Sequence, residues 1–293
     1  MFQQKQTFDF FKSYAKQWQI SAEDSIFSTI QNRHLAVLET LKKFEKDSSI
    51  LDIGCGTGQL AIEASSMGWD ATGVDFAEEM IEIALNNNKK SETNTKFITE
   101  SIFEYDAKGK KYDVISAQGF IEYISLEQLD EFFGLLRGLL KDSGMIAIGS
   151  RNRLFNLASF NEFTELENAL GTTDKIINES VILQTSSSQK DAIAKLRKLN
   201  AEYTQPTKHP ETGIKVDVRH QFTPADLITR IEKYGFKVTA IYPVHFHALP
   251  VQLMNETEIK TFHKNLARHI SESFITSQNF VPYSSSYVME AGI

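Results

Sequence analysis

Between residues 49 and 150, short apolar runs alternate with longer helical patterns, and this alternation constrains the fold more than any other feature. It is typical of βαβ units, in which helices cover both faces of a parallel sheet. The pattern predicts strands near residues 49–53, 71–75, 96–99, 112–117 and 145–150. It predicts helices at residues 57–67, 77–87 and 126–141 between them. This part of the chain is therefore predicted to be an α/β core.

The alternation ends at Arg151. Up to about Thr223 the sequence is polar, with the loop-like stretches "QTSSSQK" and "TQPTKHPETG" around one predicted helix at residues 189–203. This segment is predicted to be an insertion that packs over the top of the sheet. Beyond it, "FTPADLITRIEKYGF" predicts a helix with Thr223 as N-cap, Pro224 at its first position and Gly235 as its stop. Two late strands are predicted at residues 237–244 and 285–290, separated by a helix near 256–271.

Composition narrows the class of protein. A chain of 293 residues with 41% hydrophobic content can bury a full core. The net charge of −7 argues against a nucleic-acid or anionic-membrane partner, because neutralising phosphates requires a dense Lys/Arg face. A single cysteine, Cys55, excludes an internal disulfide framework. The amino terminus lacks the apolar core of a signal peptide and no apolar run approaches membrane-spanning length, so a cytoplasmic location is expected.

The stretch "ILDIGCGTGQLA" at residues 50–61 raises a choice between two cofactors. Its last six residues fit the dinucleotide fingerprint G-x-G-x-x-A, and Asp75 follows at roughly the expected distance. Three features oppose a dinucleotide. Asp52 would face the pyrophosphate in a poorly screened crevice, the glycine run begins early at Gly54, and the chain after the fifth strand lacks a second complete mononucleotide half. Together they favour a ligand that carries positive charge.

Three stretches resemble the nucleotide-binding motifs of the class I S-adenosylmethionine-dependent methyltransferases, in their usual order and spacing. They are the stretch just described, "ATGVDFAEEMIEIA" and "KYDVISAQGFIEYI". The resemblance covers residues 49–150, and the two late strands extend it as the family's closing antiparallel hairpin. It implies a Rossmann-like seven-stranded, mostly parallel sheet with S-adenosylmethionine as cofactor. Glycine allows close approach of the backbone, and a carboxylate accepts bonds from two vicinal hydroxyls.

Carried over by position, the resemblance assigns residues to each part of the cofactor. It places Asp52, Gly54, Cys55, Gly56 and Gly58 at the methionine moiety, Asp75 at the ribose, and Phe76 and Met80 beside the adenine. Ser101 stands where the family most often has an aspartate, so the Ile102 backbone N–H is expected to donate a hydrogen bond to the adenine ring. Gln118, Gly119 and Phe120 are expected under the reacting methyl group.

Two further cofactor contacts are predicted from the amino-terminal region. Tyr14 and Trp18 in "SYAKQW" resemble the helix that many members of the family fold over the cofactor as a lid; a packing role is the alternative. Arg33 is polar on a helix that otherwise shows apolar periodicity. It is predicted either to clamp the methionine carboxylate or to be a solvated helix charge.

Histidines supply the candidate bases, because an imidazole titrates near neutral pH. His220 precedes the Thr223 cap in a segment expected to border the cleft, and His245 follows the sixth strand, so these two are the predicted catalytic residues. Structural histidines are the alternative. His245 and His247 share one face of the strand, but the sequence offers no obvious third ligand, so no metal site is predicted. Glu122-Tyr123 stands where many relatives have Glu-His, so no histidine role is carried over there.

The predicted function is methyl transfer to an oxygen or nitrogen nucleophile of a small molecule such as a sugar, phenol or amine.

The chain is predicted to divide into four parts. These are lid helices at residues 1–48, a cofactor-binding core at 49–150, a substrate cap at 151–223 and the rest of the core at 224–293. Cap residues suited to an acceptor are Arg151, Asn152, Phe155, Phe160 and Tyr203. A non-catalytic cofactor-binding protein is the alternative. A nicotinamide oxidoreductase is disfavoured by Asp52, and a nucleic-acid methyltransferase by the acidic charge and by "AQGFIEY" in place of the Asn/Asp-Pro-Pro-aromatic motif.

Overall fold

A seven-stranded sheet lies at the centre of the structure, a computed structural model that describes residues 2–23, 29–210, 216, 219–249 and 257–293. Its strands are β1 (Ser49–Ile53), β2 (Asp70–Asp75), β3 (Lys96–Thr99), β4 (Tyr112–Ala117), β5 (Leu140–Arg151), β6 (Lys237–Phe246) and β7 (Ser284–Gly292). The order is β3-β2-β1-β4-β5-β7-β6, and of these strands only β7 runs antiparallel to its neighbours. The predicted Rossmann-like sheet with its antiparallel closure is therefore confirmed.

Eleven helices accompany the sheet within the described residues. Those outside the inserted segment are α1 (Phe2–Glu23), α2 (Thr29–Leu41), α3 (Gln59–Ser66), α4 (Glu78–Ser91), α5 (Leu126–Leu139), α10 (Pro224–Glu232) and α11 (Thr257–Ser273). Between β5 and α10 lie α6 (Phe155–Ser159), α7 (Glu162–Ala169), α8 (Thr173–Thr185) and α9 (Gln189–Leu199). Short 3₁₀ helices occupy Ile121–Tyr123 and Gln278–Tyr283. None of the helices described has the length and apolar character to cross a membrane.

Successive residues of the central strands enter opposite faces of the sheet, as the two-residue period of a strand requires. Leu51 of β1 packs into a core that includes α5, whereas its neighbour Ile50 packs into a second core that includes Val37 of α2. Helix α2 therefore covers one face of the sheet. The sequence grouped it with α1 in a lid, but its apolar side is part of the core.

The inserted segment is more helical than predicted. The sequence indicates one helix at residues 189–203, whereas the structure has four helices in this segment. The predicted helix is α9, and it ends where Asn200 takes a left-handed conformation with φ of 43°. Helix α8 was missed because Ile177 and Val181 are exposed while Ile176 and Leu183 are buried, so its apolar residues do not follow a single stripe. Residues of α8 and α9 join the same core as β4 and α5, so part of this segment packs on one face of the sheet.

A buried ion pair attaches α7 to the chain that leaves β5. Arg153 donates from Nε to Glu167 Oε1 at 2.9 Å and from Nη2 to Oε2 at 2.9 Å, and both side chains are almost fully buried. Asn156 and Thr172 also donate to the Glu167 carboxylate, and Arg153 Nη1 donates to the Thr204 carbonyl at 2.9 Å. This network fixes α7 against the strand end.

We expect Arg153→Met to lower the free energy of unfolding by about 3–5 kcal/mol, because Glu167 is then left as a buried and poorly compensated charge. The double variant Arg153→Met/Glu167→Leu should recover most of that loss. Lys195→Met is the matched control, since it removes an exposed ion pair with Asp191 at 2.7 Å and should change stability by less than about 1 kcal/mol. Urea denaturation measures all three, and a single variant no less stable than the control would contradict the assignment.

Candidate functional site

The chain leaves β1 through a glycine loop at the carboxyl edge of the sheet, where open α/β sheets bind their ligands. Gly54 has φ of 65°, and its N–H donates to the Val74 carbonyl of β2 at 2.8 Å. A Cβ on Gly54 would lie 3.3 Å from Phe120 Cδ2. Glycine suits this position for two reasons: it adopts the left-handed backbone conformation, and it leaves room for Phe120 after β4.

A cavity of about 620 Å³ opens beside this loop, a volume within the range of small-molecule and cofactor sites. It is lined by every residue that was predicted from sequence to contact the cofactor except Tyr14 and Gly58. Those lining residues are Trp18, Arg33, Asp52, Gly54, Cys55, Gly56, Asp75, Phe76, Met80, Ser101, Ile102, Gln118, Gly119 and Phe120. Residues far apart in sequence thus share one cavity.

Asp75, at the end of β2, is held by backbone amides on both sides. Its Oδ2 accepts from Gly56 N–H and its Oδ1 from Ala77 N–H, each at 2.9 Å. Burial raises the pKa of this carboxyl, and the two backbone bonds oppose that effect. Each carboxylate oxygen retains acceptor capacity, so Asp75 is placed to accept bonds from two ligand hydroxyls.

Asp52 brings a second buried acid to the same cavity. Burial raises the pKa of Asp52 to about 7; a hydrogen bond from Ser116 opposes the rise, and the nearby Asp75 charge adds to it. Two carboxylates in one buried cavity repel a pyrophosphate and favour a ligand with positive charge. Burial also raises the pKa of the intervening Cys55 well above its usual value, so its thiol is neutral.

Arg33 reaches the cavity from α2 and is only 7% exposed, so it is not a solvated helix charge. Its Nη2 donates to Ser286 Oγ at 3.3 Å and lies 4.0 Å from Glu122 Oε1. Its Nε has no hydrogen-bond partner among the described residues. A Cβ on Gly119 would lie 2.5 Å from Arg33 Nη1, so a larger residue there would displace the guanidinium. The geometry suits a carboxylate ligand.

Helix α1 covers the cavity with an aromatic face. Phe11 and Trp18 line the cavity and contact each other edge to face, with ring centroids 5.8 Å apart. Phe11 also contacts Tyr123, which follows β4, at 5.2 Å, and Phe8 packs on Phe76 at 5.5 Å. These contacts join α1 to both ends of the cavity.

Two predicted cofactor residues lie outside the cavity wall. Tyr14 is at the border of the aromatic face of α1, where its ring stacks on Phe10 at 5.0 Å. Gly58 has φ of 86° at the start of α3, and a Cβ there would lie 2.6 Å from Phe97 Cζ. Gly58 is therefore required by packing, and not by approach of a ligand to the cavity.

Neither predicted catalytic histidine lines the cavity. His220 is buried near His209 and Phe222, its backbone N–H donates to the Glu122 carbonyl at 2.9 Å, and burial lowers its pKa to about 4. His245 lies at the end of β6, and burial lowers its pKa well below the usual value. The sequence placed both near the sheet edge, but packing directs them away from the cavity.

Cap residues proposed from sequence are also engaged elsewhere. Asn152 donates to the Val281 and Ser284 carbonyls at 2.6 and 2.8 Å, and the Tyr203 hydroxyl donates to Glu179 at 2.6 Å. Phe155 packs on His247, with ring centroids 4.5 Å apart, and Phe160 is 66% exposed. No described residue between 151 and 223 lines the cavity. Its cover comes from α1 instead.

Several lining residues were not identified from sequence. They are Lys5, Thr7, Phe8, Phe11, His34, Ile53, Gln59, Val74, Glu100, Phe103, Glu104, Tyr123, Ile124, Gln128 and Glu131. Phe11 lies seven residues before Trp18, two helical turns along the same face, and this spacing was the available signal. Gln59 directly follows the glycine run. The others lack a local signal, because their exposure to the cavity depends on how the elements pack.

A methyltransferase-domain model matches residues 50–144, the stretch that holds the glycine loop, Asp75 and the residues after β4. Residues 50–144 thus match a methyltransferase domain, in agreement with the class I S-adenosylmethionine-dependent methyltransferase motifs that the sequence resembles. Similar curated proteins include the ubiquinone biosynthesis O-methyltransferase of Rickettsia felis, 29% identical over 140 residues, covering 46% of this chain and 56% of that protein. That of Rickettsia conorii is 32% identical over 117 residues, covering 38% and 39%. The chain spans about half the length of the curated relatives it matches.

Solved structures share the fold over most of the chain. The magnesium protoporphyrin IX methyltransferase of Synechocystis PCC 6803 with bound SAH superposes with a TM-score of 0.57 at 13% identity, covering 99% of this chain and 98% of that one. An S-adenosylmethionine-dependent methyltransferase from Methanosarcina mazei gives a TM-score of 0.52 at 16% identity, covering 86% and 95%. At such identities the similarity establishes the fold alone.

The residues of the cavity fit S-adenosylmethionine, the cofactor of the methyltransferases that the sequence resembles. Two buried carboxylates, Asp52 and Asp75, match a ligand with a sulfonium, an ammonium and a ribose diol. The Arg33 Nε, buried and without a partner among the described residues, matches a carboxylate. Gly54 and Gly119 leave space that a Cβ would fill. The cavity therefore offers groups that suit the amino-acid end and the ribose of the cofactor.

The pKa of Asp52, about 7, predicts that cofactor affinity depends on pH. A cation binds the carboxylate more tightly than the neutral acid, so affinity should be highest above pH 7 and should fall by up to about tenfold per pH unit below it. Calorimetry with S-adenosylmethionine between about pH 6 and pH 8.5 measures this. The Asp52→Asn variant should bind more weakly and lose the dependence, and S-adenosylhomocysteine, which lacks the sulfonium, should show less of it. A flat wild-type profile would contradict the assignment.

Proposed function

We propose that this protein transfers the methyl group of S-adenosylmethionine to an oxygen or nitrogen of a small molecule. The observation that carries the proposal is the cavity of about 620 Å³ in which Asp52, Asp75 and Arg33 meet beneath α1. The curated relatives are named O-methyltransferases of ubiquinone biosynthesis, which supports an oxygen on a small molecule as the acceptor. The acidic net charge of −7 supports an acceptor other than nucleic acid.

Each polar side chain of the cavity has a proposed task. Asp75 holds the ribose hydroxyls, Asp52 faces the positive charge of the methionine moiety, and Arg33 clamps its carboxylate. Phe76 and Met80 supply apolar surface for the adenine. Ser101 Oγ already accepts from Phe103 N–H at 3.4 Å, which supports a backbone contact to the adenine over one from the serine side chain.

Positioning carries most of the proposed catalysis. When bound, the cofactor supplies a methyl group activated by its sulfonium, and the protein's task is to hold the acceptor in line with it. The two predicted bases, His220 and His245, do not line the cavity. Tyr123 does, but burial raises its pKa to about 12, so it remains protonated. Since neither predicted histidine base faces the cavity, we propose an acceptor that needs little assistance from them, such as a phenolic oxygen or an amine.

Helix α1 is proposed to be the lid of the site. Its ion pair to α4, Lys12 to Glu79 at 3.3 Å, is exposed and therefore weak, so the aromatic contacts of Phe11 and Trp18 hold it in place. A docked α1 excludes water from the cavity. Of the residues 1–48 assigned to the lid from sequence, we assign that task to α1 alone.

Two measurements test the function. Calorimetry should show binding of S-adenosylmethionine or S-adenosylhomocysteine and none of NAD. Incubation with methyl-labelled cofactor and a panel of phenols, amines and sugars should then transfer label to at least one small molecule. Tight binding with no transfer to any acceptor would favour the non-catalytic binding protein, whereas preference for NAD would contradict both functions.

Asp75→Ala should weaken cofactor binding by about 2–4 kcal/mol, because two charge-assisted hydrogen bonds to the ribose are lost. Asp75→Asn, which keeps the side-chain shape, should weaken it less. Asp70→Ala is the matched control, since Asp70 begins the same strand and pairs with Lys110 at 2.8 Å on the surface. Calorimetry at pH 8 measures all three, and equal affinities of Asp75→Ala and the control would show that Asp75 does not bind the ribose.

Trp18→Ala should weaken cofactor affinity and lower turnover by roughly tenfold, because it opens the aromatic cover of the cavity. Tyr14→Ala provides a comparison on the same helix, since Tyr14 does not line the cavity and should leave affinity within about twofold of the wild type. Circular dichroism would verify that both variants fold. Deletion of residues 1–20 should reproduce the Trp18→Ala effect. If Trp18→Ala left cofactor affinity and turnover unchanged, α1 would be only a packing element.

A further inference from the structure

A second cluster of chemically competent side chains lies at the carboxyl end of β6. His245 and His247 come from the strand end, and His263 comes from α11, which packs against β6. One ring nitrogen from each lies within 4.8 Å of the others. The ring centroids of His247 are 4.8 Å from those of both His245 and His263. None of the three lines the cofactor cavity.

The third histidine changes the interpretation of the first two. From sequence, His245 and His247 share a strand face but lack an obvious third ligand. His263 is only 2% exposed because α11 directs it inward onto the strand. Three imidazoles from two elements thus converge at one point, the minimum protein ligand set of many zinc sites.

The surroundings of His247 indicate a missing ligand. Both of its ring nitrogens are buried and have no hydrogen-bond partner among the described residues, and the Phe155 ring packs on it at 4.5 Å. Buried polar atoms are normally satisfied, so an imidazole with neither nitrogen bonded requires an explanation. A metal ion bound by one of these nitrogens would give that nitrogen a partner.

The distances suit a transition-metal ion after small ring rotations. When three nitrogens bind a tetrahedral ion with metal–nitrogen distances of about 2.1 Å, the nitrogens lie about 3.4 Å from one another. Each histidine nitrogen therefore has to move by roughly 1 Å or less from its present position. The cluster consists of imidazoles without a carboxylate, which disfavours Mg²⁺ and Ca²⁺ and suits borderline ions such as Zn²⁺.

We propose that His245, His247 and His263 bind one divalent transition-metal ion, Zn²⁺ by preference, with a fourth position open to water. The ion joins the end of β6 to α11. It is separate from the methyl-transfer cavity, so this inference does not depend on the proposed function.

Metal titration of tag-free protein, stripped with EDTA and then freed of chelator, tests the site. Zn²⁺ competed against a chromogenic chelator should bind at one ion per chain, and Co²⁺ should give visible absorption of a four- or five-coordinate nitrogen site. His247→Asn and His263→Asn should each weaken binding at least tenfold. His269→Asn is the matched control, because His269 is exposed on the same helix and should leave binding unchanged.

Two further readouts keep the test decisive if a variant is unstable. Zn²⁺ should raise the melting temperature of the wild type and of His269→Asn, but not that of the two ligand variants. X-ray absorption of the zinc-loaded wild type should show imidazole nitrogens around the ion, and this measurement needs no variant. Any of three results would overturn the proposal: substoichiometric binding by the wild type, equal affinities in all variants, or a coordination shell without imidazole. The three histidines would then be only a packed cluster.

Discussion

The Asp75 carboxylate is the interaction on which the rest of the site depends. One of its oxygens accepts from Gly56 in the loop after β1, and the other accepts from Ala77 at the start of α4, each at 2.9 Å. One buried acid therefore sets the position of the glycine loop relative to the next βα connection. Gly54 and Phe120 then close the loop against the end of β4. The cavity exists because these three strand ends are held in register.

Charge around the cavity is arranged in two groups. Asp52 and Asp75 make one end acidic, and burial raises the pKa of both. Beyond Gly119, burial acts to raise the pKa of Glu122, but the Arg219, Arg33 and Arg151 guanidiniums hold it below its usual range. The separation of acids from arginines matches a zwitterionic amino-acid end with a sulfonium nearby, and it explains how one cavity stabilises both signs of charge.

The strands and the cofactor loop were predictable because their signals are local. Each strand of the core is a short apolar run, and the loop carries its glycines within a few residues of Asp52. The inserted segment was not predictable in the same way, since α8 exposes Ile177 and Val181 and so blurs its helical stripe. Its attachment, from Arg153 to Glu167, is a buried ion pair that no pattern of hydrophobicity reveals. The catalytic histidines predicted from position alone, His220 and His245, were directed away from the cavity by packing.

By itself the sequence determined the α/β core, the glycine loop and the acid that follows β2, because periodicity and backbone conformation depend on neighbouring residues. Only the tertiary structure decided that Trp18, not Tyr14, covers the cavity. It also decided that Arg33 reaches Ser286 across a separation of 253 residues, and that His263 joins His247. Such contacts depend on which faces of the helices dock on the sheet. That choice is made by the burial of whole elements, so no short stretch of sequence encodes it.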